Sequence, residues 1–104
     1  MDNDKLEINE TIDGDLCRFF ARGRVDSNNA DIMETNLDRA LNEGAKNIIL
    51  NMEKVKYLSS IGIRIILKTY KKACENGSTF LIERPSEIVR NVLGMVALNQ
   101  MLLK

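Results

Sequence analysis

The order of hydrophobic patterns along the chain predicts an α/β fold: a single domain with a mixed four- to five-stranded sheet and helices packed mainly on one face. Three observations carry this. Short apolar runs alternate with amphipathic helical stretches in the order strand, strand, helix, strand, helix, strand, helix. The run Asn47-Ile48-Ile49-Leu50-Asn51 is continuously apolar between polar neighbours, as a buried interior strand requires. A length of 104 residues suits one compact domain over 1–104 and leaves no room for a second.

Taken in order, Leu6, Ile8 and Ile12 among polar neighbours suggest a half-exposed strand. Asp13-Gly14-Asp15 reads as a tight hairpin turn, and Leu16 to Ala21 as the returning strand, ending near Gly23-Arg24-Val25. Asp26-Ser27-Asn28-Asn29 offers a choice of N-caps before a helix whose apolar face is Ala30, Met33, Leu37, Ala40 and Leu41. Gly44 suits the left-handed position that ends it. After the central strand, Val55 and Tyr57 are expected in a connecting segment. A second helix starts near Ser59 or Ser60, with Ile63, Leu67, Tyr70 and Cys74 on its apolar face, Ile66 and Ala73 beside them, and closes at Asn76-Gly77. Thr79 to Ile82 is another short strand. Pro85 suits the first turn of a third helix carrying Ile88, Val89, Val92 and Leu93, and Val96 to Leu103 is apolar enough to pack as a last turn or edge segment.

Composition excludes several function classes. The hydrophobic fraction of 44% and charged fraction of 29% are those of an ordinary globular domain. Fifteen basic residues balance fifteen acidic ones, so nothing in the overall charge favours phosphate backbones or membrane surfaces, and neither nucleic acid nor membrane is expected as a partner. No stretch approaches the ~20 apolar residues of a membrane span, and the polar start at Met1-Asp2-Asn3-Asp4-Lys5 argues against a signal peptide, which makes the cytoplasm the expected compartment. Histidine is absent, which removes the commonest general base and the Ser-His-Asp and Cys-His arrangements. Cys17 and Cys74 stand far apart with no CxxC, so no disulfide, metal cluster or thiol redox centre is expected. No catalytic residue, metal ligand or cofactor is assigned.

The chemistry that remains sits at the start of the second helix. A serine there presents its hydroxyl to solvent where free N–H groups favour an added phosphate, which makes Ser60 a switch candidate; the plainer reading is that Ser59 or Ser60 is only an N-cap. Asp26 is placed either to face Ser60 across the carboxyl ends of the strands or to cap the first helix. Gly62, one turn into the helix, allows close approach of a partner or close packing of helix on strand. Arg64, with Lys68, Lys71 and Lys72, makes a basic stretch that is either a solvated face or a contact for an acidic surface.

Three segments together resemble the STAS domain, the fold shared by sulfate transporter tails and bacterial anti-sigma factor antagonists. Gly23-Arg24-Val25-Asp26 is similar to the family's Gly-x-(apolar)-Asp run before its first long helix. Tyr57-Leu58-Ser59-Ser60-Ile61-Gly62 and the helix after it look like the family's phosphorylation loop. Pro85-Ser86 through Leu93 resembles its closing helix. The likeness covers nearly the whole chain in the right order. It implies that Ser60 is the phosphoacceptor and that Asp26, Ser59, Ser60, Gly62 and Arg64 face a partner. The chain departs from the family at Ser59, where an acidic residue often stands, at Ile61, where many members carry Ser, and at Arg64, where some carry Gly.

The resemblance implies a non-enzymatic anti-sigma factor antagonist, monomeric or weakly dimeric. It would bind an anti-sigma factor serine kinase when unphosphorylated and be released on phosphorylation at Ser60, with a serine phosphatase restoring binding and sigma factor availability following. The alternative is a STAS scaffold or ligand-sensing domain that binds a small anion or nucleotide at the same loop. A small hydrolase is disfavoured by the missing histidine.

Overall fold

The computed structural model describes residues 5–95 and 102–103. Seven of its elements follow the expected order: β1 (Glu7–Asp13), β2 (Leu16–Val25), α1 (Ala30–Asn42), β3 (Asn47–Leu58), α2 (Ser60–Glu75), β4 (Thr79–Glu83) and α3 (Glu87–Met95). The two-residue β5 (Leu102–Leu103) adds an edge to β4, so part of the apolar tail is an edge segment, while the stretch 96–101 lies outside the described residues. The sheet order is β1-β2-β3-β4-β5. β1 pairs antiparallel with β2 through the turn at Gly14, whose φ of 62° is costly for a side chain-bearing residue; the remaining pairs are parallel.

Strand alternation decides where the core lies. In β2 the odd positions Cys17, Phe19, Ala21 and Val25 are buried while Phe20, Arg22 and Arg24 are exposed. Buried side chains of all three helices, Met33 and Leu37 from α1, Ile66 from α2, Val89 and Leu93 from α3, join that same cluster. The helices therefore cover one face, as expected. β3 is the interior strand, between β2 and β4, but the reason for its unbroken apolar run is only half what the sequence suggested. Ile48 and Leu50 are fully buried under the helices, whereas Ile49 points to the helix-free face and is half-buried.

Three expectations need correction. β3 extends through Val55 and Tyr57, which are strand residues and not a connection, because two register slips against β2 lengthen it. Its second half outruns β4, and Ser86 takes up the freed carbonyls: its N–H donates to the Met52 oxygen at 3.1 Å and its hydroxyl to that of Val55 at 2.7 Å. Pro85 accordingly precedes α3 and stands outside its first turn. The buried face of α2 is Gly62, Ile65, Ile66, Thr69 and Ala73; Leu67 is 40% exposed, and Cys74, expected in the core, is exposed.

Cys17 is buried and donates its thiol to Glu10 Oε2 at 3.0 Å, and Glu10 Oε1 pairs with Arg39 at 2.6 Å. Burial first, and the Glu10 carboxylate second, push the thiol from its ordinary 9.0 up to about 12.

This packing sets three expected outcomes. Ile66→Ala costs about 2–5 kcal/mol in urea unfolding, whereas Leu67→Ala costs less than about 1 kcal/mol; equal costs would reverse the assigned face of α2. Iodoacetamide modifies Cys74 in the native protein and reaches Cys17 only on unfolding. Because the folded Cys17 pKa lies above the unfolded one, its stabilisation is complete below about 9 and declines as pH rises from there toward about 12. Cys17→Ala flattens that decline, measured as the urea midpoint against pH.

Candidate functional site

Parallel strands end on the same side of a sheet, and here β2 and β3 finish together: Val25 and Leu58 are register partners. The two connections that leave them, Asp26 to Asn29 and Ser59, therefore start side by side, and a hydrogen bond joins them, the Ser59 N–H donating to the Val25 oxygen at 2.9 Å. This is the position, outside the carboxyl ends of strands, where open α/β sheets gather their sites.

The first connection is held by its own polar side chains. Asp26 Oδ1 accepts from the Asn28 N–H at 2.9 Å, and Asn29 Oδ1 accepts from the Asp26 N–H at 2.9 Å. Asn29 Nδ2 reaches back to the Arg24 oxygen, also at 2.9 Å. Asn29 stands at the N-cap of α1, but its side chain ties the helix to β2 and makes no cap bond. Asp26, offered by the sequence as a cap or as a site residue, caps only its own turn and is half-buried at the strand end beside Ser59.

The second connection assigns the two serines different work. Ser59 is the N-cap of α2, in extended conformation at φ −78° and ψ 169°, and its Oγ accepts from the Gly62 N–H at 3.2 Å. Ser60 is the first helical residue, exposed, and its hydroxyl has no hydrogen-bond partner among the described residues. Gly62 is turned inward: a Cβ there would lie 2.6 Å from Leu58 Cδ1 and 2.9 Å from Val25 Cγ1. Close packing of helix on strand thus accounts for this glycine. Arg64, one turn after Ser60, is exposed and makes no ion pair among the described residues.

The basic stretch divides. Lys68 pairs with Glu34 at 2.8 Å and Lys72 with Asp38 at 3.0 Å, bonds that tie α2 to α1 and raise the Lys68 pKa through Glu34. The exposed face that begins at Ser60 is left with Ile61 (38% exposed), Arg64, Leu67 (40%) and, further along, Lys71, which makes no ion pair among the described residues. Ile61 and Leu67 were not named as site residues. Apolar spacing carries no signal for them, because the stripe that leaves 60, 61, 64 and 67 outside runs through Gly62 and Thr69. Also unforeseen is Arg24, whose guanidinium stands 4.4 Å from the centre of the exposed Tyr57 ring. Among the described residues no group of acidic, Cys or His side chains could hold a metal ion, and no helix is long and apolar enough to cross a membrane.

This geometry fixes the expected cost of three substitutions in urea unfolding. Ser59→Ala loses about 1 kcal/mol with the cap, and Ser60→Ala stays within about 0.5 kcal/mol of the parent. Gly62→Val loses about 1–3 kcal/mol or more, because Val25 and Leu58 must give way.

Comparison with known proteins bears on the whole chain. Solved structures of the same fold include an anti-sigma factor antagonist from Mycobacterium paratuberculosis, with a TM-score of 0.85 at 16% identity, covering 96% of this chain and 85% of that one. The anti-sigma factor antagonist SpoIIAA in its unphosphorylated form matches with a TM-score of 0.81 at 18% identity, over 94% of this chain and 85% of its own. The Bacillus cell fate determinant SpoIIAA in the phosphorylated form gives 0.76 at 17% identity, over 94% and 88%. At such identities the likeness is one of fold. The model of the STAS domain matches residues 7–103, and the chain belongs to the STAS domain family.

Proposed function

We propose that this chain is a cytoplasmic, non-enzymatic anti-sigma factor antagonist, switched at Ser60. Unphosphorylated, it docks on an anti-sigma factor that is also a serine kinase and so frees a sigma factor. The kinase transfers the γ-phosphoryl group of ATP to Ser60 Oγ, ADP leaves, and the complex parts; a serine phosphatase hydrolyses the ester and restores docking.

The observation that carries this reading is the division between the serines. Ser59 satisfies the helix end, so Ser60 is exposed and uncommitted at the positive end of the α2 dipole. A phosphate there gains the free N–H groups of the first turn and lies one turn from Arg64, which costs the fold little. It also sets nearly two negative charges beside Asp26 and the exposed Ile61 on the surface a partner would cover. Desolvating a dianion against an apolar contact opposes docking. Asp26, Ser59, Ser60 and Arg64 form the proposed contact surface, with Gly62 seating it from below.

The test uses a kinase of this class and calorimetry. Ser60→Ala keeps the fold and the kinase complex but is not released by ATP. Ser60→Asp keeps the fold and loses about 3–4 kcal/mol of docking, a few hundredfold in affinity. Labelling of Ser59 with Ser60 spared would move the phosphoacceptor by one residue. If neither serine is labelled and both substitutions leave binding unchanged, the switch reading fails, and a scaffold or ligand-sensing role at this loop replaces it.

A further inference from the structure

We propose that the helix-free face of the sheet carries a second site, a trough at the β2–β3 slips that binds a small organic anion with a flat apolar body. The inference is independent of the switch at Ser60, which lies at the start of a helix on the other face.

The outward residues of β2 follow one another as Arg18, Phe20, Arg22 and Arg24, at steps of about 6.6 Å along the strand. Beside them β3 slips by one residue between Phe20 and Arg22, and again between Gly23 and Arg24. Such slips break the ladder and re-aim side chains. The result is a concavity of about 320 Å³ lined by Asn9, Phe20, Arg22, Asn51, Glu53 and Lys54. Through Arg22, Glu53 and Lys54 it runs into a second of about 280 Å³, bounded by Gly23 and Val55. The first alone, at about 320 Å³, reaches the size of small-molecule sites, which begin at about 300 Å³.

The charges left over in the trough are positive. Glu53 is paired with Arg84 at 3.5 Å. Asn51 is spent: its amide donates to Glu83 at 2.8 Å and its oxygen accepts from the Glu53 N–H at 3.1 Å. Arg22 holds Glu7 at 3.6 Å with both side chains more than half exposed, a contact a ligand can displace at little cost. Lys54 has no ion-pair partner among the described residues. Arg22 and Lys54 face each other across the strand pair, and one outward step back along β2 lies Phe20, 38% exposed, a ring surface on which a planar apolar group can rest. A pair of cations beside an aromatic floor selects an anion with an aromatic body over a bare inorganic one.

The test is an amide NMR titration of the full chain with phenyl phosphate, with inorganic phosphate in parallel. Phenyl phosphate is expected to give saturable shifts at residues 20–22 and 51–54, with affinity at least about tenfold above that of inorganic phosphate. Lys54→Glu, at an exposed position, weakens it at least about tenfold and Lys54→Gln by less. Lys71→Glu, on the outer side of α2, leaves it unchanged. The proposal is overturned if shifts centre on residues 60–64, if Lys54→Glu and Lys71→Glu act alike, or if no saturation occurs up to about 20 mM, far weaker than a specific site of this size requires.

Discussion

The contact on which the rest of the site depends is the seating of the first turn of α2 on the ends of β2 and β3. Val25 and Leu58 lie side by side and leave no room for a side chain at position 62, so only glycine lets the helix approach this closely. The Ser59 N–H clamps the same point to the Val25 oxygen, and Ser59 Oγ closes the turn on the Gly62 N–H. With the helix end fixed in height and direction, Ser60 can only face outward, and the Asp26 turn can only lie beside it. A larger residue at 62 would lift the helix and re-aim Ser60 together.

Charge is organised around the same platform. Lys68 and Lys72 are engaged by Glu34 and Asp38 along the length of α1, so the basic stretch of α2 is partly a clamp between helices. Exposed pairs of this kind contribute little stability each, but they hold those lysines against α1. Arg64, one turn from Ser60, makes no ion pair among the described residues, and Ile61 and Leu67 beside it are exposed.

Much of this was legible in the sequence. The strand and helix order, the hairpin at Gly14 and the interior position of β3 all follow from apolar period and turn chemistry. The α2 face was misread because Thr69, a polar letter, is 1% exposed in the core, while Leu67 and Cys74, apolar letters, face water. Counting apolar residues rotated the helix by part of a turn. The slips in β3 left no sequence mark, since Glu53-Lys54-Val55-Lys56-Tyr57 alternates imperfectly and reads as a loop. Of the site residues, the Ser59-Ser60 pair was visible, but which serine caps and which is free depends on where the helix starts, a matter of one residue that only the fold decides.

On the proposed reading, the switch at Ser60 is a local change of charge on a rigid platform. Amide shifts of the protein made with phosphoserine at position 60, compared with the unmodified chain, test it most directly. Changes confined to residues 24–29 and 57–64 are expected, with the amides of core residues Ile48, Leu50 and Ile82 unmoved. Shifts spread through those strands would contradict it, because release would then come from a rearranged fold and not from a charge set on an unchanged surface.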